Sequence, residues 1–407
     1  MSVDDEKSMK DLLLCTEGFP FRRRSSGSSE PLLSIYRLLQ GVSKRLPEKI
    51  RPVHHTEITS HREIANLDLL SGRYAPKEVS EFIRNSTLDE YIYEHHVGRQ
   101  EVRIHFFLQD SESYSMDKQS LGFMAKKAFL MTELLLKFKT RRCGRVLSFY
   151  IYLTPLNKNL PKDHGVPLGP LHSNTGFAGS CANGGSIVIY RKEEWFKVLT
   201  HELIHFLGLD FSTDLRGTVP GAMKTIFPVS SEFNLYETYT EVWAEILNIV
   251  MTFFLENPEA SKRQVAEGTH DLIRIECAFS TFQMVKILGH LGLNYELLYS
   301  KSDSAAYLRD HYYKENTNVF CYYVLPSLLL FYYDDFLRWC VENNLNLIHF
   351  STQSHAQTKF VKLIEKLHDS AEFISFVSCA EQLYGKLSRE RPNSPFLLTT
   401  RMSFVEN

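Results

Sequence analysis

The segment Val198–Phe206 constrains this chain more than any other. It reads VLTHELIHF, and its polar chemistry lies in two histidines and a glutamate, His201, Glu202 and His205, set among apolar residues. No proline and no further charge interrupts the run, which predicts a largely buried helix. Burying these three side chains is costly unless they have partners. The segment therefore predicts a helix with a polar site on one face.

The spacing within this H-E-x-x-H motif points to a metal. His201 and His205 are four residues apart, so a helix places both imidazoles on one face, where they suit two ligands of a tetrahedral zinc ion. Glu202, next to the first histidine, can reach a metal-activated water and take its proton as the water attacks a carbonyl. We therefore expect one zinc ion per chain and a hydrolytic enzyme.

A third protein ligand is expected from a later helix. Within Asn234–Asn248, the acidic residues Glu237, Glu241 and Glu245 recur every four residues on one face, while the flanks are apolar. Like charges at this spacing repel each other, and burial increases the cost. A zinc ion and histidine N–H groups would compensate that cost. The pattern therefore predicts a ligand here without selecting one glutamate.

The order of predicted elements between about residues 100 and 250 resembles that of the zincin metallopeptidases. These enzymes place an edge strand just before the HExxH helix, and Ser186–Tyr190 (SIVIY) has that position here. The resemblance implies an α+β fold, in which a small mixed sheet and the HExxH helix precede a mainly helical C-terminal lobe. A peptide substrate would add to the edge strand. The segment Tyr190–Leu207 also resembles uncharacterised zincin-like proteins of large DNA viruses.

The sequence does not fit the metzincin branch of the zincins. The metzincin pattern HExxHxxGxxH is matched through Gly208, but Phe211 stands where the third histidine belongs and Asp210 is one residue out of register. Gly208 is better interpreted as the C-cap of the helix.

Another branch, the gluzincins, takes a glutamate from a later helix. The segment Glu241–Glu245 (EVWAE) resembles the glutamate-aromatic-Ala-Glu pattern of gluzincin-like toxins and peptidases. The resemblance implies that Glu241 is the ligand and that Glu245, one turn later, supports a ligand histidine. Glu237 is the alternative ligand, and Glu241 would then take the supporting role.

Zinc peptidases usually add a tyrosine or histidine that donates a hydrogen bond to the oxyanion. Tyr236 and Tyr239 lie near the expected ligand helix, and Tyr322 and Tyr323 lie in a later one. We regard Tyr236 and Tyr239 as candidates, with core packing as the alternative for each. The Gly-rich stretch 176–185 either shapes the cleft or simply connects two elements.

The chain divides into three expected parts. Residues 1–90 form an N-terminal extension with a flexible Ser/Gly-rich linker at Arg24–Pro31, residues 91–210 a lobe ending in the HExxH helix, and residues 211–407 a helical lobe with the third ligand. The predicted strands are Glu101–Gln109, Val146–Leu153 and Ser186–Tyr190. The predicted helices are Leu32–Leu46, Ser120–Lys139, Glu193–Leu207, Glu232–Leu255, His270–Leu291, Val319–Asn343 and Thr358–Leu367.

Composition narrows the function further. A formal net charge of -2 excludes the basic footprint of nucleic-acid binders, and the longest apolar run is too short to cross a membrane. The seven cysteines are odd in number and lack CxxC spacing, so we expect neither a disulfide framework nor a cysteine zinc site. With no signal peptide at the N-terminus, we expect an intracellular, cytoplasmic protein, including the possibility of a viral protein in the host cell or virion.

These observations favour a zinc peptidase that acts on a protein or peptide. A catalytically silent zincin used for binding or structure is an alternative, although the intact Glu202 argues against it. A zinc amidase or deacylase acting on a non-peptide amide is another, since the metal chemistry is the same. The expected edge strand favours the peptidase. The sequence leaves the oligomeric state and the cleaved bond open.

Overall fold

The computed structural model describes residues 3–17, 30–58, 67–72, 74–109, 118–213, 219–353 and 355–405. The strands are β1 His54–Ile58, β2 Leu88–Val97, β3 Gln100–Gln109, β4 Val146–Tyr152, β5 Gly176–Ala178 and β6 Ser186–Ile189. The helices are α1 Val3–Glu17, α2 Glu30–Ser43, α3 Lys77–Arg84, α4 Lys118–Leu136, α5 Pro170–Ser173, α6 Trp195–Leu207, α7 Val219–Ile226, α8 Leu235–Glu256, α9 Lys262–His290, α10 Tyr295–Tyr299, α11 Asp303–Tyr312, α12 Leu325–Phe331, α13 Tyr333–Asn343, α14 Ala356–Leu367, α15 Ala371–Glu390 and α16 Pro395–Leu398. Single 3-10 turns cover Leu67–Ser71 and Cys181–Asn183, and a π-helical turn, Phe320–Val324, leads into α12.

The strands form one six-stranded mixed sheet in the order β1-β2-β3-β4-β6-β5. The pairs β1–β2, β2–β3 and β5–β6 are antiparallel, whereas β3–β4 and β4–β6 are parallel. The expectation that Ser186–Tyr190 is the edge strand is wrong, because β6 is paired on both sides. The short strand β5 takes the edge instead, since the chain folds back antiparallel across the Gly-rich stretch before β6.

Strands lie in the first half of the chain and helices dominate the second, so the fold is α+β, as expected. Helix α6 packs against β5 and β6 on one side and against α8 on the other. Within residues 1–90, α2 packs against α4, α8 and α9, and its apolar side chains belong to the main core. Most of the expected linker at Arg24–Pro31 lies outside the described residues.

The cysteines depart from expectation at one place. Cys143 and Cys181, 38 residues apart in sequence, form a disulfide, and Cys379 is disulfide-bonded as well. The expectation of no disulfides is therefore wrong, because short-range spacing carries no information about pairs that the fold brings together. Cys277, Cys321 and Cys340 are buried free thiols. None of the described helices is long and apolar enough to cross a membrane.

Buried carboxylates hold the C-terminal segment 399–405 in place through hydrogen bonds to its backbone. Two of its backbone N–H groups, those of Met402 and Ser403, donate to Glu194 at 2.8 and 2.6 Å. The N–H groups of Phe404 and Val405 donate to Glu276, on α9, at 2.8 and 3.0 Å. Buried N–H groups need acceptors, so these glutamates fix the path of the segment.

We expect Glu276→Ala to destabilise the fold by about 2–4 kcal/mol, because two buried N–H groups lose their acceptor. Urea unfolding of the two proteins measures the difference. Asp271→Ala is a matched control on the same helix, since the Asp271 side chain is 65% exposed, and it is expected to change stability by less than about 0.5 kcal/mol. Equal midpoints for Glu276→Ala and the wild type would contradict this role for Glu276.

Candidate metal and catalytic site

Helix α6 presents the HExxH motif to the interior. Twelve of its thirteen residues are buried, and His205 is the exception. The helix ends at Gly208, whose φ of 65° lies in the left-handed region that glycine adopts without strain. The N–H of Gly208 donates to the carbonyl of His205, and the N–H of Leu209 donates to that of Ile204. These two bonds form a Schellman C-cap, which confirms the interpretation of Gly208.

Helix α8 brings its glutamates against α6. Glu237 lies in the first turn, and Glu241 and Glu245 follow at intervals of four; all three are buried. The 22-residue helix is buried over nearly its whole length, so packing holds the acidic face in place despite the repulsion between its charges.

Three acceptor atoms converge between the two helices. The Nε2 atoms of His201 and His205 are 3.0 Å apart. An Oε2 atom of Glu237 lies 3.2 Å from the first and 3.1 Å from the second. The three residues thus form a nearly equilateral triangle of ligand atoms, and they can hold a metal ion.

The opposite nitrogen of each imidazole is also engaged. Nδ1 of His201 lies 2.8 Å from Glu241, and Nδ1 of His205 lies 2.6 Å from Asp210. A carboxylate fixes the proton on Nδ1, which leaves the Nε2 lone pair of a neutral ring pointing into the triangle. This carboxylate–histidine arrangement is typical of metal sites.

The dimensions of the triangle fit zinc. Tetrahedral coordination with bonds of about 2.0–2.1 Å separates neighbouring ligand atoms by about 3.3 Å. The donor set of two imidazoles and one carboxylate therefore suits a divalent cation.

The charges of the grouped side chains shift one another's pKa values. Burial raises the pKa of Glu237, but the charge of His205 and hydrogen bonds from both histidines outweigh it and bring the pKa down to about 2. Burial lowers the pKa of His205, but Asp210 and Glu237 outweigh it and hold the pKa well above its usual value. The contacts that hold Glu237 as an anion also favour protons on both histidines, which a metal ion would displace on binding.

A buried ion pair supports the site from behind. The Lys197 ammonium, on α6, donates a hydrogen bond to Glu241, and both side chains are at most 2% exposed. Burial lowers the pKa of Lys197, but Glu241, Glu194 and Glu245 outweigh it and raise the pKa. Glu241 therefore bridges the Lys197 ammonium and the His201 ring, and so orients that ring.

A cleft of about 330 Å³ opens onto the triangle. Glu202 lines it, and none of the described residues donates a hydrogen bond to its carboxylate. Burial raises the pKa of Glu202, and Glu237 and Glu241 add to that effect against the two histidines. The cleft thus offers a carboxylate that is close to the ligand triangle and available to accept a proton.

Three tyrosines also line the cleft, Tyr74, Tyr236 and Tyr322, and the last two lie near the histidines. The ring of Tyr236 is 6.0 Å from that of His205, and the ring of Tyr322 is 6.2 Å from that of His201. The Nδ2 atom of Asn318 lies 3.5 Å from the Tyr322 hydroxyl and donates to it, so the hydroxyl proton is left for another acceptor. Burial raises the pKa of Tyr322 well above its usual value, which keeps the phenol protonated.

Strand β5 forms one wall of the same cleft. Gly176 lies so close to its neighbours that a Cβ there would be 2.6 Å from Ile189, on β6, and 3.2 Å from Val198, on α6. The glycine therefore allows the edge strand to approach the HExxH helix. The outer side of β5 has no strand partner among the described residues.

The remaining predicted site residues differ in their positions relative to the triangle. The geometry favours Glu237, the alternative ligand, because Glu241 contacts the outer nitrogen of His201 instead. Glu245 is buried with no hydrogen bond to either carboxylate oxygen among the described residues, so it supports neither histidine. Tyr239 lies in the core, where its hydroxyl donates to the carbonyl of Ile348, and it does not line the cleft.

Sequence reasoning missed two supporting residues. Asp210 was noted only as a misplaced third ligand, but the Schellman turn at Gly208 folds it back onto His205. Lys197 lies four residues before His201 on the same helix face, and that spacing was a signal available in the sequence.

A scan against protein-family models found no match, and searches of the curated proteins and of the solved structures found none either.

Proposed function

We propose that this protein is a zinc-dependent peptidase with His201, His205 and Glu237 as the protein ligands of the metal. The observation that carries the proposal is the convergence of three acceptor atoms at 3.0–3.2 Å, with both outer imidazole nitrogens held by carboxylates. Two histidines and a glutamate are the ligand set of several catalytic zinc sites, in which a fourth position stays open.

His201, His205 and Glu237 would hold the zinc ion, which would supply Lewis acidity to acidify water and polarise a substrate carbonyl. Glu202 lies beside the triangle and takes the proton of the attacking water on its carboxylate. The same carboxyl group then delivers the proton to the leaving amine. Asp210 and Glu241 keep both rings oriented throughout.

Two of the three cleft tyrosines, Tyr236 and Tyr322, supply hydrogen bonds to the substrate. A phenol that stays protonated donates to the oxygen on which negative charge develops, and such donors stabilise the transition state. Tyr322 and Tyr236 lie on different sides of the triangle, against His201 and His205 respectively. We assign the oxyanion donor to Tyr322, whose hydroxyl oxygen already accepts a hydrogen bond from Asn318.

Strand β5 favours a peptide as the substrate. An extended peptide can pair with the open side of this strand through its main chain, which places one of its carbonyls over the ligand triangle. An edge strand next to an HExxH helix is also what the resemblance to zincin peptidases implies. A deacylase or amidase needs no such strand, and a purely binding protein needs no free Glu202.

The test combines metal content with cleavage. We expect purified wild-type protein to bind about one zinc ion per chain and to cleave peptides in a random mixture analysed by mass spectrometry. A chelator should abolish cleavage, and added zinc should restore it. His201→Ala should lose both the zinc and the activity. Glu365→Ala, at an exposed position on α14, is the control and should lose neither.

A folded wild-type protein that binds no zinc, even after incubation with excess metal, would overturn the proposal. Zinc binding without peptide cleavage, but with hydrolysis of acylated small molecules, would replace the peptidase by a deacylase.

A further inference from the structure

Among the described residues, Arg141 is the one charged residue lining the cleft that the proposed mechanism leaves unused. The other charged or ionisable side chains there are the two histidines, Glu202, Glu237 and three tyrosines. The side chain of Arg141 donates one hydrogen bond, to the hydroxyl of Thr213 at 3.3 Å. It forms no ion pair with any described residue. Most of the five N–H donors of this guanidinium are thus free for a ligand.

The position of Arg141 relative to the ligand triangle is fixed by the end of α6. A Cβ built on Gly208 would lie 3.7 Å from the Arg141 Cδ atom and 3.8 Å from its Nη1 atom. Gly208 follows the ligand His205 by three residues, which is about 5 Å along a helix axis. Since one extended peptide residue spans about 3.5 Å, Arg141 lies within reach of a substrate group one or two residues from the scissile bond.

The segment that carries Arg141 is tied to the opposite cleft wall. The disulfide between Cys143 and Cys181 joins it to the 3-10 turn Cys181–Asn183, which follows β5. The N–H of Gly144 also donates to the carbonyl of Cys181 at 2.9 Å. The backbone that carries Arg141 is therefore tied to the cleft wall, while the Arg141 side chain is exposed.

The end of the cleft away from Arg141 is lined by acidic and amide side chains. There it continues into a second cavity of about 610 Å³ that shares Tyr236 and Glu237 with the first. Glu232, Glu315 and several asparagines line this cavity, and no lysine, arginine or histidine does so among the described residues. The cleft therefore has a positive end at Arg141 and an acidic, amide-rich end beyond Glu237.

We propose that Arg141 is the specificity-determining residue of this cleft and binds a carboxylate of the substrate. The inference rests on the proposed peptidase function and deepens it by naming the substrate class. A guanidinium recognises a carboxylate with two parallel hydrogen bonds. A substrate with a neutral side chain or an amide in place of the carboxylate cannot accept both bonds. The carboxylate belongs either to a glutamate or aspartate side chain or to the free C-terminus of the peptide. The acidic end excludes a second carboxylate on the other side of the scissile bond.

The probe is a peptide mixture in which glutamate, glutamine, lysine and methionine occur equally at each randomised position. One half of the mixture has a free C-terminal carboxylate and the other half a C-terminal amide, which distinguishes the two sources. Zinc-loaded wild type, Arg141→Met, Arg141→Glu and Arg145→Met are compared, and the products are sequenced by mass spectrometry. Arg145, in the same segment, lines a different cavity and serves as the matched control.

We expect the wild type to prefer a carboxylate over its amide by about 10-fold at one position on one side of the cleaved bond. Arg141→Met should lose this preference, Arg141→Glu should favour lysine there, and Arg145→Met should retain the wild-type profile. Zinc content of each variant checks that the site has folded. A carboxylate preference that survives in Arg141→Met, or cleavage without any preference in the wild type, overturns the role of Arg141 and leaves the peptidase intact. A zinc-loaded wild type that cleaves no peptide overturns both.

Discussion

Replacing Glu202 with glutamine should lower kcat by about 10²–10⁴-fold, the range for loss of a general base, while the protein keeps its zinc. Glutamine has nearly the same shape as glutamate but cannot take a proton from water. The Glu202 carboxylate accepts no hydrogen bond from the described residues, so the substitution removes no hydrogen bond within the protein. The loss should therefore appear in turnover and in neither metal content nor stability.

The pH dependence gives a second, independent readout. Burial raises the pKa of Glu202, which must be deprotonated to act as a base. Activity of the wild type should therefore fall as the pH decreases through the pKa of this carboxyl group. In Glu202→Gln the remaining activity should lack that acidic limb, and Glu202→Asp should retain it at reduced rate.

Glu193→Gln is a matched control for this experiment. Glu193 lies just before α6, is half-buried, and faces the C-terminal segment instead of the cleft. It should lose some stability but keep the acidic limb of the pH profile. If Glu202→Gln retained wild-type turnover, another group would have to accept the proton, and the proposed mechanism would be wrong.

Much of this arrangement was predictable because it depends on local patterns. Strand β3 alternates in its first half, β4 and β6 are short apolar runs, and the helices α4, α6 and α8 repeat apolar residues at helical spacing. The C-cap at Gly208 follows from the conformational freedom of glycine. These local rules also placed both histidines and Glu202 on one buried helix.

Other features depend on contacts between distant segments. Strand β5 has only three residues, including Gly176, and is too short for an alternating pattern. Cys143 and Cys181 meet only because β4 and the turn after β5 share one end of the sheet. Asp210 reaches His205 only after the chain reverses at the end of α6. None of these contacts has a signature in sequence spacing.

The choice between Glu237 and Glu241 as the metal ligand also depends on contacts between distant segments. It leads to the second prediction with a large expected effect. Both lie on one face of α8, so sequence periodicity treats them alike. The way α8 packs against α6 decides which carboxylate reaches the triangle and which reaches Lys197. Glu237→Gln and Glu241→Gln are therefore expected to fail in different ways, although each changes one carboxylate into an amide.

Glu237→Gln should lose zinc almost entirely, and its metal-free form should also lose stability, because both histidines stabilise the Glu237 carboxylate. Glu241→Gln should weaken zinc binding by only about 10–100-fold, the usual effect of removing a group that orients a ligand. It should also destabilise the metal-free protein by about 3–5 kcal/mol, because Lys197 is left as an unpaired buried cation.

Competition with a chelator measures the zinc affinities, and urea unfolding of the metal-free proteins measures the stabilities. The double variant Lys197→Met/Glu241→Gln removes the unpaired cation and should recover most of the lost stability, but not the lost zinc affinity, because the His201 ring still lacks its carboxylate partner. If Glu241→Gln instead abolished zinc binding while Glu237→Gln weakened it modestly, Glu241 would be the ligand. Helix α8 would then have to shift by about one turn, close to 5 Å, relative to α6.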